Sequence, residues 1–209
     1  MTRYEGYFPA LSSERCDRIP KEINVTKRLC FLFATLAAVP VAVLAQGSAV
    51  APDNPISDSE KRVYAMLSSV VIAAAEKMPE ESYSFKPTPE VRSFGQLVGH
   101  LADSKYFFCS TVAGETRPVS EVEKSKTKKA DLVAALKDAV AYCNKTYAGM
   151  TDAKGSQMMK MMNHDFAKLT VLSANFAHTY EHYGNMVTYM RLKGIVPPTS
   201  EKSGSTGQN

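Results

Sequence analysis

The sequence predicts an all-α protein, a four-helix bundle over residues 57–198, on three observations. Apolar residues recur at three- and four-residue spacings in four separate segments. Each of the first two segments opens on a Ser-x-x-Glu/Gln capping box. No stretch of useful length alternates apolar and polar residues as a half-buried strand does, and no internal repeat is visible. Four helices of roughly 20–30 residues with no sheet to cover bury their apolar stripes most simply against one another.

The bundle does not start at the first residue. Lys27 and Arg28 precede the apolar run Leu29 to Val39, which passes through Pro40 to Val43-Leu44-Ala45. A positive start, an apolar centre and a small-residue exit have the layout of a secretory signal peptide, cleaved after Ala45. The run falls short of the about 20 residues that a membrane span takes, so the chain meets a membrane only through this segment if it stays uncleaved. Residues 1–24 are polar, carry Pro9 and Pro20, and show no helical pattern. Val25 reads as the natural start, with a long n-region as the alternative; residues 1–45 are then an upstream extension plus signal peptide. The expected location is periplasmic or extracellular.

Residues 46–56, with Pro52 and Pro55, read as a linker. The first helix then opens at Ser57-Asp58-Ser59-Glu60 and continues through Val63, Met66, Leu67, Val70, Val71 and Ala74, the pattern of one buried face. Pro79 ends it. Pro87 and Pro89 make an extended connection. Ser93-Phe94-Gly95-Gln96 opens the second helix, with Leu97, Leu101, Phe108 and Val112 inward and Gly114 and Pro118 at its end. The third runs from near Lys128, through Leu132, Ala135, Leu136, Val140 and Cys143, to about Gly149. The fourth runs from about Asn163 to Lys193, where Gly194 suits a left-handed cap and Pro197-Pro198 forbid continuation. Residues 199–209 are rich in Ser and Gly and read as a disordered tail.

Composition narrows the function. A net charge of +4 on 209 residues is small, and it is not clustered as a nucleic-acid footprint would be. The basic run Lys124 to Lys129 reads as a solvated connection. Trp is absent and Met is frequent, so the core is aliphatic with Met, Phe and Tyr. Beyond the signal segment only Cys109 and Cys143 remain, in a compartment where disulfides persist. A bridge between them and two separate buried thiols are both open, because sequence does not give their separation.

Three of the four histidines sit in helix interiors. His178 and His182 are spaced i, i+4 and project from one face a turn apart, so both imidazoles can reach one ion. His100, in the second helix, is the candidate third ligand from a facing helix, the way bundle metal sites are built. An interior His is also commonly a hydrogen-bonded core residue, and that reading stands beside the first. His164, in Asn163-His164-Asp165 at a helix start, is expected on the surface. His178-Thr179-Tyr180-Glu181-His182 also fits the H-x-x-E-H zincin pattern. However, the only carboxylate after His182 is Glu201, in the tail, and a small bundle offers little room for a peptide cleft. Glu181 is left as a group that orients a histidine, or as a solvated or packing residue.

The segment Phe94-Gly95-Gln96-Leu97-Val98-Gly99-His100-Leu101-Ala102-Asp103 and its continuation to Cys109 resemble the second helix of the DinB-like superfamily. The segment Ala177-His178-Thr179-Tyr180-Glu181-His182-Tyr183-Gly184, with the exit Arg191-Leu192-Lys193-Gly194-Ile195-Val196-Pro197-Pro198, resembles its fourth. The resemblance spans residues 57–198. It implies a divalent metal, most often zinc or nickel, held by His100, His178 and His182. Some members of the family resemble thiol S-transferases and others metal-dependent isomerases. An open three-His site suits thiol or water activation. The expectation is therefore an exported metal-dependent transferase or hydrolase acting on a small molecule, with Tyr183, Tyr106 and Arg191 as substrate-contact candidates. For the two tyrosines a packing role is the competing reading. The alternative for the whole chain is a non-catalytic metal- or ligand-binding, stress-related bundle, with a homodimer left open.

Overall fold

The computed structural model describes residues 53–201; the upstream extension, the signal peptide and the tail beyond 201 lie outside the described residues. The first helix, α1 (Pro55–Lys77), begins three residues earlier than its capping box suggests. Proline at the first helical position has its φ preset and no N–H to lose. The cap comes from elsewhere in the chain: Asp152 accepts from the backbone N–H of Ile56 at 3.2 Å and of Ser57 at 2.7 Å. Ser57 is consequently inside the helix and buried, and its hydroxyl has no partner. The expected Ser57–Glu60 box is thus corrected, because a carboxylate 95 residues away wins the amides. The buried face of α1 is Tyr64, Leu67, Ser68, Val71, Ala74 and Ala75, whereas Met66 points outward.

A 3-10 turn at Glu80–Ser82 leads to α2 (Phe94–Ala113). Here both bonds of the capping box form, between Gln96 N–H and Ser93 Oγ at 3.2 Å and between Ser93 N–H and Gln96 Oε1 at 2.8 Å. Gly114 ends the helix with φ 72°, a conformation that a side chain would strain. A single turn, α3 (Val122–Ser125), precedes α4 (Lys129–Ala148), and another, α5 (Asp152–Gly155), follows it. The last long helix is α6 (Lys168–Leu192), closed by Gly194 at φ 72°.

Two strands that sequence patterning missed lie before α6. β1 (Met158–Met161) pairs antiparallel with β2 (His164–Ala167) around Met162 and Asn163, both left-handed at φ 50° and 66°. Two successive left-handed residues are what a tight two-residue hairpin needs. The Met-rich run carries neither alternation nor β-branched residues to announce it. The hairpin takes up the residues expected to start the fourth helix, so His164 lies exposed in β2.

α2 packs on α4 and α6, and α1 packs on the same two helices. Of the long helices that follow one another in sequence, α1 and α2 are diagonal, as are α4 and α6, whereas α2 and α4 pack directly. No helix among the described residues is long and apolar enough to cross a membrane. The core has two apolar clusters. One gathers around Phe94, Leu101, Leu136 and Met186, and the other around Tyr64, Tyr147, Leu172 and a disulfide between Cys109 and Cys143.

A polar layer sits at the level of α2 and α6 between them. Lys105, fully buried, donates to Thr179 Oγ1 at 3.2 Å and stands over the Tyr64 ring. Asn175 donates to the Tyr147 hydroxyl at 3.2 Å. No carboxylate pairs with Lys105 among the described contacts, and burial pulls its ammonium down to about 7. The unfolded chain then binds more protons than the fold between about pH 7 and about 10.4. Stability contributed by the neutral form rises with pH across that window and is lost as pH falls through it. Lys105→Met should raise the melting temperature most near pH 7, and the gain should shrink toward pH 10. A gain that does not change with pH would contradict an uncompensated buried ammonium.

Candidate metal centre

The histidines meet where α2 faces α6. His178 and His182 lie a turn apart on α6, and His100 approaches from α2. His100 Nε2 lies 3.2 Å from His178 Nε2, and His182 Nε2 lies 3.1 Å from the same atom. One ring nitrogen from each residue falls within 4.8 Å of the others. His182 is buried, His100 and His178 are half-buried, and the Phe108 ring stands 5.9 Å from the His178 ring.

The proton inventory of this cluster is informative. His100 Nδ1 lies 3.0 Å from Glu123 Oε2. An ionised carboxylate only accepts, so Nδ1 carries the hydrogen and Nε2 presents a bare lone pair to His178. His178 Nε2 then has two close nitrogen neighbours and can satisfy only one. If it holds a proton and donates to His100, it has no lone pair for His182. If it accepts from His182, it faces the lone pair of His100. Every neutral arrangement leaves one of the two short contacts unfavourable, and a cation among the three nitrogens removes the conflict.

Two of the three spacings, 3.1 and 3.2 Å, fit such a cation as they stand. Bonds of about 2.0–2.1 Å to one ion put neighbouring nitrogens about 3.0–3.4 Å apart. Protonation of His178 and His182 does not compete strongly near neutrality. Burial first, and then the positive charge that His182 and His100 would carry, pull His178 down to about 4. Burial and His100 also lower His182, partly offset by Glu181. His182 Nδ1 lies 3.4 Å from the Asn185 side-chain amide, whose oxygen and nitrogen ends are interchangeable by assignment. With the oxygen turned toward Nδ1–H, the His182 Nε2 lone pair also points inward. The residues present therefore fit a divalent ion.

Two clefts flank the triad. One, of about 450 Å3, is walled by His100, Ser104, Phe107, Arg117 and Lys124. The other, of about 690 Å3, is walled by Arg92, Gln96, Glu181, His182, Asn185 and Tyr189. Glu123 faces both, and its Oε1 accepts from Arg92 Nε at 2.8 Å.

Of the other residues singled out from sequence, Glu181 is exposed on the larger cleft and bonds to no histidine ring among the described contacts. The carboxylate that does hold a histidine is Glu123. Tyr183 is buried, with its hydroxyl 2.9 Å from Thr199 Oγ1. Tyr106 is buried against Tyr142, and Arg191 reaches Ser200. None of these three lines either cleft.

Sequence reasoning missed Glu123, Arg92, Asp103 and Asn185. Asp103 and Asn185 lie three residues from His100 and His182 on the same helices, a spacing that puts each pair on one face. Glu123 and Arg92 carry no local sign, because only the folding of the connections brings them in.

A family model described as the DinB superfamily matches residues 66–186, a span that includes all three histidines. Among solved structures, a DinB-like protein from Bacillus cereus is similar at a TM-score of 0.62 and 13% identity, over 68% of this chain and 95% of that one. A DinB-like protein from Bacillus subtilis is similar at a TM-score of 0.57 and 20% identity, over 69% and 99%. At those identities the likeness speaks for the fold. No curated protein matches the chain.

Proposed function

The chain belongs to the DinB superfamily, and from that premise we propose that it is an exported, metal-dependent transferase or hydrolase acting on a small molecule at His100, His178 and His182. The observation that carries this reading is the convergence of three imidazole nitrogens at 3.1 and 3.2 Å. Neutral imidazoles suit zinc or nickel, which are the proposed ions. Bound there, such an ion acts as a Lewis acid that lowers the pKa of a coordinated water or thiol and makes it a nucleophile near neutral pH.

The chain's own contributions are separate from that chemistry. Three ligands without charge leave the ion's positive charge uncompensated, and so preserve its pull on a coordinated proton. The Phe108 ring stands beside His178 and gives that side of the site an apolar wall. The flanking clefts, of about 450 and 690 Å3, lie within the roughly 300–1,000 Å3 typical of small-ligand sites. Arg92 and Glu123 give the larger cleft a charged rim on which a polar substrate can be oriented. Export rests on the signal segment Lys27 to Ala45.

The test is a panel of thiol-plus-electrophile pairs and esters, run with protein purified without an affinity tag, before and after chelation. At least one substrate should be consumed only by the metal-loaded protein. Equal turnover by the metal-free protein would rule the reading out. A fully loaded protein that consumes nothing would leave a binding module.

A further inference from the structure

The connection between α2 and α4 folds back on α2 instead of running clear of it. Asp103 accepts from the backbone N–H of Val122 at 2.9 Å and of Glu123 at 3.0 Å, fixing the start of α3 with both carboxylate oxygens. Gly99 makes the approach possible. A Cβ there would sit 2.6 Å from Glu123 Cα and 2.9 Å from its nitrogen, both backbone atoms that cannot rotate away. Val122 is buried in the larger apolar cluster, which pins the turn from the other side. Gly99, His100 and Asp103 are thus successive parts of one α2 surface shaped to receive α3. The Glu123 side chain then bridges Arg92 Nε at 2.8 Å and His100 Nδ1 at 3.0 Å.

We propose that Glu123, held by this strap, is the positioning residue of the metal centre: it fixes the tautomer and ring orientation of His100. This rests on the reading of the triad as a metal site. The carboxylate keeps hydrogen on Nδ1, so Nε2 faces His178 as a free donor, and the Arg92 pair stops the carboxylate from rotating off. Of the three imidazoles, His100 is the one whose outer nitrogen is held by a charged group. His182 has a neutral amide there, and His178 Nδ1 is buried without a partner. Loss of such an outer partner weakens metal affinity by about 10–100-fold.

The experiment compares the full chain with Glu123→Ala, Glu123→Gln and Gly99→Ala. In the metal-free proteins, long-range 15N–1H correlation spectra report which nitrogen of His100 carries hydrogen. In parallel, zinc competition against a chromogenic chelator reports affinity, and melting curves report the fold. In the wild type His100 should be the Nδ1–H tautomer. Glu123→Ala should mix the tautomers and weaken zinc binding by about 10–100-fold. Glu123→Gln keeps the side-chain shape but offers one acceptor oxygen to two donors, Arg92 Nε–H and His100 Nδ1–H, so it should shift the His100 tautomer while the fold survives, and weaken zinc less than the alanine variant. Gly99→Ala, which keeps Glu123 in the sequence but pushes its backbone off α2, should resemble Glu123→Ala. If Glu123→Ala melts early, the glutamine variant and the tautomer readout still decide. An unchanged His100 tautomer together with zinc affinity within two-fold of wild type in Glu123→Ala would overturn the proposal. A wild type that binds no zinc at the triad would instead sink the functional reading and leave the tautomer result to be judged alone.

Discussion

Replacing His182 by alanine is expected to weaken divalent-metal binding by more than about 100-fold, beyond the range that follows loss of an outer hydrogen-bond partner. Turnover should be lost with it. His182 is one of only three donors, and its buried ring lies 4.4 Å, centroid to centroid, from the ring of His178. Removing it leaves two imidazoles, one on each of two helices. Equilibrium competition with a chelator measures the change, and circular dichroism checks that the bundle survives. His164→Ala is the matched control. That ring is exposed in β2, outside the convergent set, and its loss should leave affinity as it was. Equal affinity losses for the two substitutions would mean that metal binds nonspecifically at surface histidines.

The second large effect concerns Cys109 and Cys143. Their Cα atoms are 5.4 Å apart, and the bridge ties α2 to α4 inside the smaller apolar cluster with both sulfurs fully buried. The loop it closes spans 34 residues, for which the chain-entropy relation gives about 3–4 kcal/mol. The double substitution Cys109→Ala, Cys143→Ala should lower the melting temperature by about 10 °C, at roughly 2–4 °C per kcal/mol for a domain of this size. Alkylation after unfolding without reductant should label neither cysteine in the wild type. Labelling of both, with a melting shift of only a degree or two, would show that the protein carries two thiols in solution.

Much of the architecture was legible because helices write their period into the chain. Four long helices formed over the periodic segments, α2 at its Ser93–Gln96 box, although α6 starts at Lys168 and not near Asn163. The i, i+4 spacing of His178 and His182 identified one face of α6 before any contact was known. What failed had long-range causes. Ser57 looked like a cap, but Asp152 caps the amides of Ile56 and of Ser57 itself, so the helix starts earlier and Ser57 lies inside it. The period placed Met66 on the buried stripe, but the packing of α1 on α4 and α6 rotates it outward and brings in Tyr64 and Ser68. The β1–β2 hairpin depends on two left-handed residues, Met162 and Asn163, and only Asn163 hints at that conformation.

The site divides in the same way. Its ligands sit on helices and are readable from spacing. Its supporting carboxylate sits on a one-turn segment 23 residues from His100 in sequence, next to lysines that read as a solvated run. Glu181, by contrast, was suggestive only because it lies between two histidines in sequence. A residue next to a ligand on a helix points about a quarter turn away from it, and Glu181 is accordingly exposed.

The central claim is that three imidazoles from α2 and α6 hold one divalent ion. X-ray absorption on tag-free protein, combined with elemental analysis, tests it most directly. One equivalent of zinc or nickel is expected, with a first shell that fits three imidazole nitrogens at about 2.0–2.1 Å and that disappears in His182→Ala. Substoichiometric metal, or a first shell without imidazole scattering, would contradict it.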